Sequence, residues 1–146
     1  MPKYRIRLVY RPGEEKDDIL EQIAELDASF FPGCKKEPLK ENYWWFVYDE
    51  KDKVVGYAGM RYLEDESFGY FTRAGILEKH RGQGLHKRLI ATRSNMARRL
   101  GGEGVITYVA PHNNASVNAL VSRGFRLYTP ERKWVGDDFL YLIKSF

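Results

Sequence analysis

The chain has 146 residues, 43% hydrophobic and 14% aromatic, enough for one compact domain spanning 1–146 that buries roughly 70% of its unfolded surface. Its 24 basic and 20 acidic residues leave a net charge of +4, which permits an anionic ligand without requiring one. A single cysteine, Cys34, excludes an internal disulfide, and neither a secretory leader nor an apolar run of about 18 residues is visible, so a cytoplasmic protein is expected.

Residues 4–10 alternate, with Tyr4, Ile6, Leu8 and Tyr10 on one face, and predict a half-solvated first strand ended by Pro12 and Gly13. Residues 17–28 place Ile19, Leu20, Ile23 and Leu26 at helical spacing, with Asp17 and Asp18 in the first turn where they suit the helix dipole. Phe30, Phe31, Pro32 and Gly33 close that helix. The aromatic run at 43–48 is β-prone, pairs across a polar turn with a strand over 54–62, and is followed by a third strand over 68–77. A helix over 84–100 carries Leu85, Leu89, Met96 and Leu100 along one stripe, with Lys87, Arg88, Arg93, Arg98 and Arg99 mostly outside it. A buried strand over 105–109, a helix over 115–123 closed by Gly124, and strands over 125–128 and 139–143 complete the chain. The order β-α-β-β-β-α-β-α-β-β describes one mixed α/β domain without internal repeats.

The junction between the third strand and the basic helix is chemically distinctive. Arg81-Gly82-Gln83-Gly84 puts two glycines where the backbone can turn tightly and aim several N–H groups at one point ahead of a helix N-terminus. Arg81, Lys87 and Arg88 add full positive charges, a combination suited to a diphosphate. Two familiar phosphate loops do not fit: the dinucleotide fingerprint needs a third glycine where Lys87 stands, and the Walker loop needs a Gly-Lys-Ser/Thr ending.

These residues resemble the GNAT superfamily of N-acetyltransferases over most of the chain. The densest stretch is 72–85, where the family's Gln/Arg-x-x-Gly-x-Gly/Ala signature fits Lys79-His80-Arg81-Gly82-Gln83-Gly84 with a conservative departure at Lys79. Headed by Arg81 instead, the signature would meet His86 where glycine or alanine is expected. A second element follows in order: Asn113-Asn114-Ala115-Ser116 opens a helix that ends in Arg123-Gly124-Phe125.

The resemblance implies a central mixed, mostly antiparallel sheet with helices on both faces, and a strand ending at Ile76 that splays from the strand over 105–109 to admit the pantetheine arm of coenzyme A. It implies that acetyl-CoA lies along Ala74, Gly75 and Ile76, with its diphosphate at Arg81, Gly82, Gln83, Gly84, Leu85, His86 and Lys87, and that the Ile76 N–H polarises the thioester carbonyl. Gly75 can equally be a simple bulge. Asn113 either bonds the cofactor arm or caps the helix after it. The reaction implied is direct attack of a primary amine of a small molecule or peptide on the acetyl thioester, after loss of the proton that the amine carries near neutral pH.

The chain departs from its relatives at two catalytic positions. Tyr108 stands where many members have a glutamate base, and Leu120 where many have a tyrosine acid. Tyr70, Thr72, Glu64, Asp65 and Glu66 are alternatives for organising a water, and Ser116, Ser122 and Tyr128 for protonating the thiol. His80, His86 and His112 lack metal-ligand spacing, so no metal is expected. The aromatic run at 43–48 reads as sheet core or as an acceptor pocket wall. Two rival readings remain: a coenzyme-A-binding module without activity, and a nucleic-acid-binding protein using the basic helix, against which Glu78 and Glu103 interrupt the charge. A monomer or homodimer is expected, with no membrane partner.

Overall fold

A computed structural model of the chain describes residues 3–34 and 37–146. Its elements run β1 (Arg5–Tyr10), α1 (Asp17–Phe30), β2 (Tyr43–Tyr48), β3 (Val54–Leu63), β4 (Phe68–Ile76), α2 (Leu85–Arg99), β5 (Gly104–Val109), α3 (Asn114–Ser122), β6 (Arg126–Leu127) and β7 (Leu140–Ser145), with single 3-10 turns at Leu39–Glu41 and Glu78–His80. This is the order expected from the sequence. The seven strands form a sheet in the order β1-β2-β3-β4-β5-β7-β6, in which β1–β2, β2–β3, β5–β7 and β6–β7 pair antiparallel and β4–β5 pair parallel. The chain divides into two compact units, the first Met1–Arg61 with Thr72–Gln83, the second Tyr62–Phe71 with Gly84–Phe146.

In the first unit the aromatic run of β2 is core. Trp44, Trp45, Phe46 and Val47 are buried, because β2 is flanked by ladders to β1 and β3 and both of its faces are covered. Trp44 stacks on Tyr57 at 5.9 Å and donates its indole N–H to the Leu39 carbonyl at 2.8 Å, so the ring enters the core without an orphaned donor. Leu20 and Ile23 of α1 join Tyr10, Trp44, Phe46 and Tyr57 in one cluster. The helix runs two residues beyond its expected end at Ala28. Phe31 N–H still bonds the Asp27 carbonyl at 2.8 Å, and the Phe30 ring packs on Tyr57 at 5.6 Å.

Asp27 occupies the apolar stripe of α1, where periodicity alone gives no reason for a charge. Its carboxylate accepts from Tyr57 Oη at 2.6 Å and from Arg73 Nε at 3.1 Å, and the Arg73 guanidinium lies over the Phe31 ring at 4.9 Å. A buried ion is tolerated when its partner and its hydrogen bonds are all present. Burial and the adjacent Asp27 charge push the Tyr57 hydroxyl far above the usual tyrosine range.

In the second unit, β5 pairs with β7 from Gly104↔Ser145 to Val109↔Leu140, and the two-residue β6 pairs with β7 at Arg126↔Ile143 and Leu127↔Leu142. Helix α2 buries Leu85, Leu89, Ile90, Arg93, Ser94 and Ala97. Arg93 corrects the expected pattern, in which it fell with the solvent-facing cations. Its guanidinium lies 4.0 Å from the Phe71 ring centre, a flat cation on an aromatic face, and its Nε donates to the Leu89 carbonyl at 3.3 Å. Burial pushes its pKa down to about 9, still high enough to keep the charge at neutral pH. Met96 and Leu100, expected in the stripe, are only half-buried.

Two outcomes follow. Asp27→Ala removes the carboxylate from a buried guanidinium and should cost about 3–5 kcal/mol in urea unfolding, whereas truncating the exposed Glu21 should change stability by less than about 0.5 kcal/mol. Tyr57 ionises less readily folded than unfolded, so its contribution is complete below the ordinary tyrosine pKa of 10.0 and is lost as pH rises above it. Unfolding free energies measured between about pH 9 and 11 should fall less steeply in Tyr57→Phe than in the wild type, Arg93 being common to both.

Candidate functional site

The first unit holds the end of β4 and the turn after it. Ile76 is buried, Gly75 is buried and Ala74 half-buried. Gly75 is where it is because the Phe30 ring lies against its α-carbon: a Cβ there would come within 2.7 Å of that ring. The 3-10 turn Glu78–His80 then reverses the chain, with His80 N–H bonded to the Leu77 carbonyl at 2.9 Å. His80 Nδ1 meets the Tyr4 hydroxyl at 3.0 Å, which ties the turn to the chain just before β1. Arg81 folds back, and its Nε donates to the Ile76 carbonyl at 2.9 Å. Of the residues expected to hold the cofactor, these two are brought into direct contact.

The glycine loop continues with Arg81, Gly82 and Gln83, all exposed, into Gly84, the residue that caps α2. Gly82 and Gly84 both adopt left-handed backbone, at φ +75° and +77°, with nothing within 4 Å of where a Cβ would stand. The loop therefore needs glycine for its conformation and has open space above it. In the second unit, the first turn of α2 has no acidic residue, and Leu85 turns inward while His86, Lys87 and Arg88 are exposed. Cations at the positive end of a helix dipole are unfavourable unless an anion joins them.

Among the catalytic candidates, the second unit holds Tyr70, Tyr108 and Ser122, while Ile76 lies in the first. Tyr70 lies opposite Ile106 and Tyr108 opposite Tyr141 in the ladders, so the three tyrosines point to one face of the sheet. The rings of Tyr70 and Tyr108 are 6.4 Å apart. The β4–β5 ladder pairs only Phe68, Gly69 and Tyr70 with Gly104, Val105 and Ile106; at the next step the Phe71 carbonyl accepts instead from the Thr107 hydroxyl at 3.0 Å. Strand pairing gives way there to a side chain. Tyr128 is half-buried, and burial with the nearby Tyr141 pushes its hydroxyl up.

Other candidates have local partners. Asn113 Oδ1 accepts the Ser116 N–H at 3.2 Å, the capping geometry anticipated as one of its two roles. Ser122 donates to the Ala119 carbonyl one turn earlier at 2.7 Å, and Leu120, in the family's tyrosine position, is buried. Glu64, Asp65 and Glu66 are exposed in the turn between β3 and β4. Trp134 was not singled out from the sequence. It donates to Tyr70 Oη at 3.1 Å and packs on Tyr141 at 4.6 Å; its only sequence signal is a large aromatic residue in an otherwise polar loop.

Residues 11–125 match the sequence profile of the Acetyltransferase (GNAT) family. The chain belongs to that family. Solved structures with the same fold include a Klebsiella pneumoniae protein assigned as an acyl-CoA N-acyltransferase, 21% identical, with TM-score 0.70 and 97% of each chain covered. A GNAT-family acetyltransferase of Staphylococcus aureus shares 13% identity at TM-score 0.73, over 98% of this chain and 99% of that one. A Bacillus subtilis acetyltransferase in complex with CoA shares 12% at TM-score 0.69, over 99% of both. Comparison of the sequence with curated proteins finds no match. No helix among the described residues is long and apolar enough to cross a membrane.

The capping geometry at Asn113 makes one expectation specific. Asn113→Ala should destabilise the protein by about 1 kcal/mol in urea unfolding, while Asn113→Asp, which keeps the acceptor, should stay within a few tenths of the wild type.

Proposed function

We propose that this GNAT protein is an acetyl-CoA-dependent N-acetyltransferase, acting through 1–146 as one catalytic domain and transferring the acetyl group to a primary amine of a small molecule or peptide by direct attack. The observation that carries the reading is the left-handed pair Gly82 and Gly84, lying open ahead of a helix whose first turn is cationic and contains no acid. Such a loop fits a diphosphate because space is open at both glycines and the first turn of the helix brings positive charge without an acid. In this reading Arg81, Gly82, Gln83, Gly84, Leu85, His86 and Lys87 hold the diphosphate, and Ala74, Gly75 and Ile76 pair with the amides of the pantetheine arm. Asn113 caps α3 and can offer its side-chain amide to the same arm. Bound acetyl-CoA would supply an activated acetyl thioester.

The chain's own residues do the remaining work. The Ile76 N–H, fixed in a buried strand end, stabilises negative charge as it grows on the thioester oxygen. An amine with a pKa of about 10.4 must lose a proton before it attacks, and Tyr70 and Tyr108, on one face of the sheet, are the hydroxyls assigned to relay it through water. The indole of Trp134 donates to Tyr70 Oη, which favours any negative charge that the relay leaves on that oxygen. The departing thiol, with a reference pKa of about 8.5, requires little assistance, and Ser122 is the hydroxyl assigned to protonate it.

Free-thiol release from acetyl-CoA across a panel of amines and peptides tests the reading directly. Binding without turnover on any acceptor would replace it with an inactive cofactor-binding module. Gly84→Glu adds bulk and a negative charge where the diphosphate is assigned, and should weaken acetyl-CoA binding at least about tenfold by calorimetry. Unchanged affinity in a folded variant would remove the assigned loop from the cofactor site.

A further inference from the structure

Arg81 does more in this structure than bring a charge to the loop. Its Nε donates to the Ile76 carbonyl across the 3-10 turn at 2.9 Å, and this is the only hydrogen bond its guanidinium makes among the described residues. Neighbouring contacts hold the same short stretch of backbone. Leu77 N–H donates to the Val55 carbonyl at 2.9 Å, and the Phe30 ring closes over the α-carbon of Gly75. The peptide between Ile76 and Leu77 is thus held at its N–H by a neighbouring strand and at its oxygen by Arg81. Without a donor, the Ile76 carbonyl would be an unpaired acceptor of a nearly fully buried residue, and its peptide would be held at the Leu77 N–H alone.

We propose that Arg81 is a positioning residue whose Nε fixes the Ile76 carbonyl, and through it the direction of the Ile76 N–H that polarises the acetyl thioester. The inference rests on the acetyltransferase reading above and adds to the charge that Arg81 brings to the diphosphate. The two roles use different atoms. Nε serves the strand end, which leaves the terminal nitrogens of this exposed residue to serve the anion. A negatively charged ligand on the terminal nitrogens would immobilise the guanidinium and with it the Nε bond, so cofactor seating and thioester activation share one side chain.

Substitution can separate them. The side-chain amide nitrogen of glutamine occupies the position of arginine Nε and can donate to Ile76, whereas methionine has the same reach and no donor. Arg81→Gln and Arg81→Met lose the same charge and should weaken acetyl-CoA binding by similar factors, measured by calorimetry. Isotope-edited infrared difference spectra are then recorded on wild type and both variants, each saturated with acetyl-CoA carrying 13C at the thioester carbonyl. The wild type should lower the carbonyl stretch relative to free acetyl-CoA, Arg81→Gln should keep most of that shift, and Arg81→Met should lose most of it. A full shift in Arg81→Met, or a loss in Arg81→Gln equal to that in Arg81→Met, overturns the positioning role. No shift in the wild type overturns the Ile76 assignment itself, a separate failure that takes this inference with it.

Discussion

The buried carboxylate of Asp27 is the contact on which the first unit turns. It joins the last turn of α1 to two strands at once, accepting from Tyr57 on β3 and from Arg73 on β4. Taking it away would cost the guanidinium its carboxylate and the phenol its acceptor, both inside the core. Once these bonds are made, Phe30 lies over Gly75 and Phe31 under Arg73, and the strand end that carries Ile76 is fixed from the helix side. The charge thus specifies which turn of the helix meets which residue of the strand, a registry that apolar contacts alone leave loose.

A second constraint lies farther along the chain, and it works by what is missing. The first turn of α2 has no acid, no side-chain cap and three exposed basic or imidazole side chains. A helix selected only for stability would place Asp or Glu there, as α1 does with Asp17 and Asp18. The two helices of one chain thus differ at their positive ends, α1 carrying two acids and α2 none. The left-handed glycines 82 and 84 leave open space above the loop, which suits the close approach that the proposed diphosphate requires.

Periodicity and turn chemistry made the order of elements legible, because amphipathic alternation, the acidic first turn of α1 and the glycine at 124 are local signals. The glycine loop was legible for the same reason. Residues whose roles come from tertiary pairing were not. Arg93 falls with the cations outside the apolar stripe, and Asp27 carries no local signal, until a phenylalanine ring, a tyrosine or a guanidinium from a distant strand is placed beside them. Trp134 and Tyr70 are 64 positions apart, and no local pattern joins them. The bond from Arg81 to Ile76 spans only five residues, yet it is invisible to a reading that treats a basic residue beside glycines as a charge.

The distribution of cations on α2 bears on what kind of anion the chain can meet. A duplex or single strand needs positive charge along a continuous stripe, so that successive phosphates are neutralised. Here Arg93, midway along the helix, is withdrawn onto Phe71, and Arg98 near its end lies over Phe146 at 4.2 Å and donates to Asn95 at 3.1 Å. Arg93 and Arg98 are therefore engaged with aromatic rings, while His86, Lys87 and Arg88 are exposed in the first turn. Charge concentrated at one helix end answers a compact group of linked phosphates better than a polymer. The electrostatics of the helix and the geometry of its glycine loop consequently favour the same class of ligand, although they arise from different residues.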